Sequence, residues 1–306
     1  MRYGVGYQGS KNRIADDIIN ILPSGERFVD LFGGGFAMSH CALLSGKYNS
    51  VLYNEYDKLC FDLIRNAIRG DYNPDKMDYH WISREEFFEG KSGNPYIAFC
   101  WSFSNNARDY LFGKNIEPWR KALWYARVLK DYSLLADMCI ISDGSRLDIK
   151  THEAEYRAKY AEWYGKNVSS RLTDLESLER LQSLERLQSL QSLESLQSLE
   201  MSNNTYLSYQ HKQSDVVYCD PPYESAKKYR NGNFDHKEFY AWVVNADYPI
   251  YFSSYAISDN RFTPIWAKDI HRLYGATTNS EKSTEVLYCN DVALSTYGHA
   301  SLLLSA

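Results

Sequence analysis

Apolar positions in this chain fall into short runs that stop at turn residues, and the stops carry as much information as the runs. Val216-Val217-Tyr218-Cys219 is β-branched and aromatic, and it ends in Asp220-Pro221-Pro222-Tyr223. A run of this kind bounded by turn residues predicts a buried strand, and neither proline has an N–H with which to extend a ladder. Phe28-Val29-Asp30-Leu31-Phe32 predicts another strand, broken by Gly33-Gly34-Gly35 and followed by a helix from Ala37 to Leu44. Val51-Leu52-Tyr53 and Pro249 through Tyr255 predict two more strands, Thr284 through Cys289 an edge or hairpin strand, and Asn12 to Leu22 a helix. Strands that alternate with helical segments predict an α/β sheet.

Two segments break this texture. Residues 72 to 165 are rich in aromatics, amides and mixed charge, as in Trp101 through Tyr110 and Ile116 through Lys121. Pro118 suits the first turn of a helix running through Ala122 to Lys130. The segment reads either as a helical subdomain with a packed aromatic core or as an insert whose amides and arginines read base edges. From 172 to 199 leucine occupies every third position, with Glu, Gln, Ser and Arg as almost the only spacers. An α-helix advances about 100° per residue, so a three-residue repeat drifts roughly 60° per step and makes neither an amphipathic stripe nor a heptad seam. A 3₁₀ helix would align the leucines but seldom exceeds about 3–4 residues, and stacked short extended segments are a further arrangement. The repeat is read as a tandem expansion, a length-tolerant insertion without a catalytic part, with helix favoured on propensity.

The 306 residues are 44% hydrophobic, enough for one large or two modest domains. A net charge of −5 excludes a uniformly basic surface, so nucleic-acid contact requires local patches. Lys227, Lys228 and Arg230 form one such patch, in a polar loop placed to touch phosphates. The six cysteines, at 41, 60, 100, 139, 219 and 289, include no C-x-x-C and no His partner at zinc spacing. They are expected to be reduced thiols, with no metal site. No apolar run has signal-peptide character or approaches ~18 residues, so a soluble cytoplasmic protein is expected.

Candidate chemistry sits at the strand ends, where open α/β sheets bind ligands. A carboxylate at Asp220 and a neighbouring backbone carbonyl could both accept hydrogens from an –NH2 group, while Tyr223 offers a flat face to a planar base. That would leave the nitrogen lone pair aimed at an electrophile; the plain alternative is an ordinary Pro-Pro turn. Glycines at 33 to 35 would let the backbone approach a ligand. Glu55 follows about 20 residues later, where a Rossmann-like site holds a ribose diol. A tight turn with no ligand is the plain alternative there.

Taken in order, Tyr7-Gln8-Gly9-Ser10-Lys11, Phe32-Gly33-Gly34-Gly35, Asn54-Glu55 and Asp220-Pro221-Pro222-Tyr223 resemble the motif set of the Dam-like, S-adenosylmethionine-dependent DNA adenine methyltransferases. The resemblance implies a Rossmann-like methyltransferase sheet with an inserted, mainly helical target-recognition domain. It places the catalytic domain at 1–70 and 200–306, the recognition domain at 71–170 and the repeat insertion at 171–199. There are departures. Phe36 stands where the family commonly has the last glycine of Phe-x-Gly-x-Gly, Glu55 stands where Asp is usual, and the repeat replaces a shorter linker.

The resemblance further implies that Tyr7, Lys11, Asp30, Phe32, Gly33, Gly34, Gly35, Glu55 and Asp220 hold S-adenosylmethionine. Lys11 is otherwise a solvated charge at a helix start. A flipped adenine would stack on Tyr223, with Asp220 and the Pro221 carbonyl accepting its amino hydrogens and Pro222 completing the catalytic tetrapeptide. No enzyme nucleophile is then needed, which makes Cys219 a packing residue. Asn105, Arg108, Tyr110, Lys227, Lys228 and Arg230 would contact double-stranded DNA, the enzyme acting as a monomer in DNA modification of the restriction–modification kind. The rivals are methylation of a cytosine amino nitrogen or a protein glutamine amide, an NAD-dependent oxidoreductase built on Gly33 to Gly35 and Glu55, and a scaffold assembled by the repeat.

Overall fold

The apolar runs become β1 (Gly25–Asp30), β2 (Tyr48–Asn54), β3 (Leu199–Ser202), β4 (Asp215–Cys219), β5 (Ile250–Ser254), β6 (Thr263–Leu273) and β7 (Ser280–Cys289). In this computed structural model the described residues are 3–7, 9–131, 133–134, 186–193, 198–224, 234–273 and 280–297. The strands form one sheet in the order β3-β2-β1-β4-β5-β7-β6. The first five in that order are mutually parallel, whereas β7 runs antiparallel to both β5 and β6.

Burial on both faces explains why the central runs are continuously apolar. All five residues of β4 are buried. Val216 and Tyr218 pack with Phe28, Val51 and Tyr251, against Ile18 and Ile19 of α1 (Ala15–Ile21) and Met38 and Cys41 of α2 (Ala37–Ser45). Val217 and Cys219 face the other way, with Val29, Ile250 and Phe252, against Phe239, Tyr240 and Val243 of an α-helix at His236–Asn245. Each such aliphatic or aromatic side chain contributes about 1.5–3 kcal/mol by leaving water. Burial drives the Cys219 thiol well above its ordinary range, in keeping with a packing role.

The chain winds outward from β1 through β2 to β3, then returns to β1's other side with β4 and β5. Strand order therefore reverses between β1 and β4, and the crevice at their carboxyl ends is where such sheets bind ligands. The opposite edge is fastened by Arg27, whose Nε and Nη2 donate to Asp215 at 3.0 and 2.7 Å and whose Nη1 donates to Glu200 at 3.0 Å. Burial alone would raise the Asp215 carboxyl, but Arg27 and the Tyr209 hydroxyl hold it below the usual carboxylate range.

The end of the leucine repeat differs from a free insertion. Residues 186–189 form a helical turn that passes into a 3₁₀ turn, Leu190–Leu193, and Leu187, Leu190 and Leu193 are buried. A 3₁₀ turn brings residues i and i+3 into line, so for one turn a three-residue repeat does make an apolar stripe. That turn packs on α3 (Lys58–Ile68). Leu199, counted above with the repeat, is the first residue of β3 and pairs with Val51. Residues 172–185 and 194–197 lie outside the described residues.

The chain divides into two compact units, Met1–Asp71 with Ser189–Ala306, and Tyr72–Gln188. In the second unit α4 (Arg84–Gly90) is capped by the Ser83 hydroxyl, and α5 (Pro95–Cys100) by the Asn94 side chain. The third helix of this unit, α6 (Glu117–Trp124), carries Pro118 in its first turn. It continues as a wider π turn, Tyr125–Leu129, and stops at Lys130, which is left-handed with φ 58°. These helices surround an aromatic core in which Trp81 stacks on Phe112 and meets Trp101 and Trp124 edge-on.

Candidate active site

The parallel strands end on one edge, and the acids anticipated from sequence gather there because each lies at or just past a strand end: Asp30 on β1, Glu55 after β2, Asp220 after β4. The antiparallel β7 adds a fourth. Its Val286 pairs with Ser254 at the end of β5, so the preceding residue, Glu285, reaches the same edge. Sequence reading assigned Glu285 no role. The available signal was a single acid opening an apolar strand run, which does not reveal the strand's direction or neighbours.

Lys11 joins two of these acids, Asp220 and Glu285, and is 6% exposed. Its Nζ donates to both oxygens of Asp220, at 2.7 and 2.6 Å, and to the Gly9 carbonyl at 3.2 Å. It also stands 3.5 Å from Glu285 Oε1 and 4.9 Å from the centre of the Tyr223 ring. Lys11 is thus a buried cation in an ion-paired cluster, not a solvated charge. Burial raises the Asp220 and Glu285 carboxyls above their ordinary values, and the Lys11 ammonium pulls both back. The Tyr223 hydroxyl donates to Glu285 Oε1, and its ring meets Tyr255 edge-on at 4.5 Å. Only 8% of Tyr223 is exposed, so the open flat face expected from sequence is largely covered here. His236 Nε2–H donates to the Pro222 carbonyl at 2.7 Å and pins the Pro-Pro turn, while Pro221 is buried within it.

The glycine turn is built differently from the expectation. A Cβ on Gly33 would strike the Tyr53 ring at 2.2 Å, and one on Gly35 would lie 2.6 Å from Tyr7 Cβ and 2.8 Å from the Val5 carbonyl. These glycines admit the protein's own chain as well as any ligand. Phe36 takes a left-handed backbone of the kind that favours glycine, with φ 69° and ψ 15°, and its fully buried ring meets Tyr53 edge-on. Phe32 packs among Tyr206, Phe234 and Phe239.

Glu55 closes the turn, its Oε2 accepting the Gly34 N–H and its Oε1 the Asp57 N–H, each at 2.7 Å. Burial pushes its carboxyl up to about 7 despite these bonds. Asp30 is 1% exposed and likewise raised to about 7 by burial; its Oδ2 accepts the Ser39 hydroxyl at 2.7 Å, and its buried Oδ1 has no hydrogen-bond partner. Asn54 bridges the Leu31 and Asn204 carbonyls, and Asn203 holds the Glu55 and Tyr56 carbonyls. This amide lattice at the ends of β2 and β3 also escaped sequence reading.

The residues expected to touch DNA fare unevenly. Tyr110 is 6% exposed, donates to the Ile82 carbonyl at 2.8 Å and belongs to the aromatic core, which corrects its placement at a DNA surface. Its ring was needed to fill that core beside Phe87 and Phe112. Asn105, left-handed with φ 53°, donates to the Phe99 carbonyl at 2.8 Å, and Arg108 is exposed in the same loop. Lys227, Lys228 and Arg230 lie outside the described residues.

Residues 7–112 match the model of the family described as D12 class N6 adenine-specific DNA methyltransferase. That span is about a third of the 306 residues, and over it the chain is similar to that class. The matched span holds Tyr7, Lys11, the glycine turn and Glu55, while Asp220 through Tyr223 lie beyond it. No curated protein matches the chain. That family acts on the N6 nitrogen of adenine in DNA, which supports adenine methylation over the cytosine alternative, and the family implies a methyl donor. Among the described residues no helix is long and apolar enough to cross a membrane.

Proposed function

We propose that this methyltransferase takes its methyl group from S-adenosylmethionine in the crevice above β1 and β4, and that Asp220 accepts the amino hydrogens of the target adenine. The observation that carries the second part is that both Asp220 oxygens already accept N–H donors, from Lys11, at the end of a fully buried strand. A carboxylate held this way, with the Pro221 carbonyl beside it, keeps an amino nitrogen electron-rich and oriented without a covalent intermediate. Tyr223 bounds the place of the base and stacks on it once Lys11 withdraws.

The donor's residues are argued from fit. The orphaned, buried Oδ1 of Asp30 suits the ammonium group of an amino-acid moiety, which would also draw its raised carboxyl back down. Glu55 retains lone pairs for a diol after accepting two backbone N–H groups. Tyr7, which lies against Gly34 and Gly35, the Gly33 to Gly35 turn and Phe32 are proposed to line the rest of the donor's place. When bound, S-adenosylmethionine supplies an electrophilic methyl on a sulfonium. The Tyr72–Gln188 unit is proposed to recognise the target sequence through Asn105 and Arg108, and Lys227, Lys228 and Arg230 to meet phosphates. The enzyme is read as a cytoplasmic monomer.

The test is transfer from methyl-labelled S-adenosylmethionine to unmethylated DNA by the purified full chain, with the product base identified. Asp220→Ala should lose at least about 10²-fold in rate while its unfolding midpoint stays within a few degrees. Undiminished transfer by that variant, or binding of the donor unaffected by Asp30→Asn, would remove the roles assigned here.

A further inference from the structure

Lys11 occupies what the substrate needs. Its ammonium fills both acceptor oxygens of Asp220, at 2.7 and 2.6 Å, and stands 4.9 Å from the Tyr223 ring centre. It therefore imitates the incoming amino group, presenting N–H donors to the same carboxylate beside the same ring. Before an adenine can take that place the ammonium has to leave Asp220. A buried ammonium at 6% exposure cannot be left without an anion, because its desolvation would go uncompensated.

Glu285 meets the requirement. It is 2% exposed, its Oε1 lies 3.5 Å from Lys11 Nζ, and the Tyr223 hydroxyl holds that oxygen in place. A shift of about 0.7 Å in Nζ would reach the ~2.8 Å of a charge-assisted hydrogen bond. The cluster has a single lysine against two carboxylates, so the cation has two seats and fills one of them closely. We propose that Glu285 is the alternate seat of the Lys11 ammonium, a positioning residue that receives Lys11 when the target amino group takes Asp220. The inference rests on the reading of Asp220 as the amino acceptor. It also accounts for an acid opening the apolar end of β7, which packing alone does not require.

Glu285→Gln keeps the side chain's size and an acceptor for the Tyr223 hydroxyl but removes the charge. Single-turnover methyl transfer by the full-length variant, with saturating S-adenosylmethionine and a duplex carrying the enzyme's own site, should fall at least tenfold. The dissociation constant for the donor should change less than threefold. A second readout needs no turnover: the wild type should bind a duplex with adenine at the target position more tightly than one with unsubstituted purine there, and Glu285→Gln should lose that preference. Because Glu285 acts through Lys11, adding Glu285→Gln to Lys11→Met should cost nothing further. Transfer at the wild-type rate, a preserved adenine preference, multiplied losses in the double variant, or loss of donor and duplex binding altogether would each overturn the proposal. If Asp220→Ala remains active, the underlying reading of Asp220 fails; if it is inactive while Glu285→Gln is unaffected, only the role of Glu285 fails.

Discussion

Phe36 pairs a left-handed backbone, φ 69°, with a side chain that is 0% exposed, and replacing it separates the two contributions. In Phe36→Ala the ring is lost and the backbone still has to hold a Cβ in the left-handed region. Losing a fully buried phenylalanine costs about 3–5 kcal/mol. In Phe36→Gly the same ring is lost, but the left-handed penalty of about 1–2 kcal/mol disappears. Glycine is also the better residue at a helix N-cap, the position Phe36 holds for α2. Glycine ordinarily costs about 0.5–1 kcal/mol relative to alanine within an element; here the order should reverse. Phe36→Gly is expected to be destabilised by about 2–4 kcal/mol and to be more stable than Phe36→Ala by about 1 kcal/mol. Urea unfolding followed by circular dichroism, with midpoints compared at constant m, reads the difference. An alanine variant as stable as the glycine variant would refute the strained backbone at Phe36.

Leu190→Ala should destabilise the chain by about 3–5 kcal/mol, since Leu190 is fully buried at the end of the repeat; a change under about 1 kcal/mol in the urea midpoint series would return it to the class of surface substitutions. For Asp30, burial holds the folded carboxyl at about 7, while the unfolded one titrates near ~3.9. Between those values the folded state keeps a proton the unfolded state has lost, so stability falls as pH rises from about 4 to about 7 and is level above. Asp30→Asn should flatten that decline in unfolding midpoints measured from acid to neutral pH, leaving the part due to Glu55; an unchanged slope would show that Asp30 ionises normally.

Much of this enzyme is legible along the chain because the relevant physics is local. An apolar run that ends in prolines or glycines has to be a strand meeting a turn, and β1, β2, β4 and β5 lie where the pattern put them. The order of glycine turn, acid and Asp-Pro-Pro-Tyr likewise places the chemistry at strand ends, since each motif directly follows its strand. Other features depend on what a residue meets across the fold. Glu285 reaches the acids only because β7 runs antiparallel beside β5, and Lys11 reaches Asp220 across 209 positions of sequence. Tyr110 reads as a surface aromatic until the core of Trp81, Phe87 and Phe112 claims it. The three-residue leucine repeat fits no α-helical face, yet one 3₁₀ turn against α3 buries Leu190 and Leu193. Sequence by itself determined the strands, the turns and the order of the motifs, because backbone sterics and hydrophobic burial act between near neighbours. Tertiary structure decided which charges share a buried site, because desolvation and ion pairing depend on distances that the chain's own order does not specify.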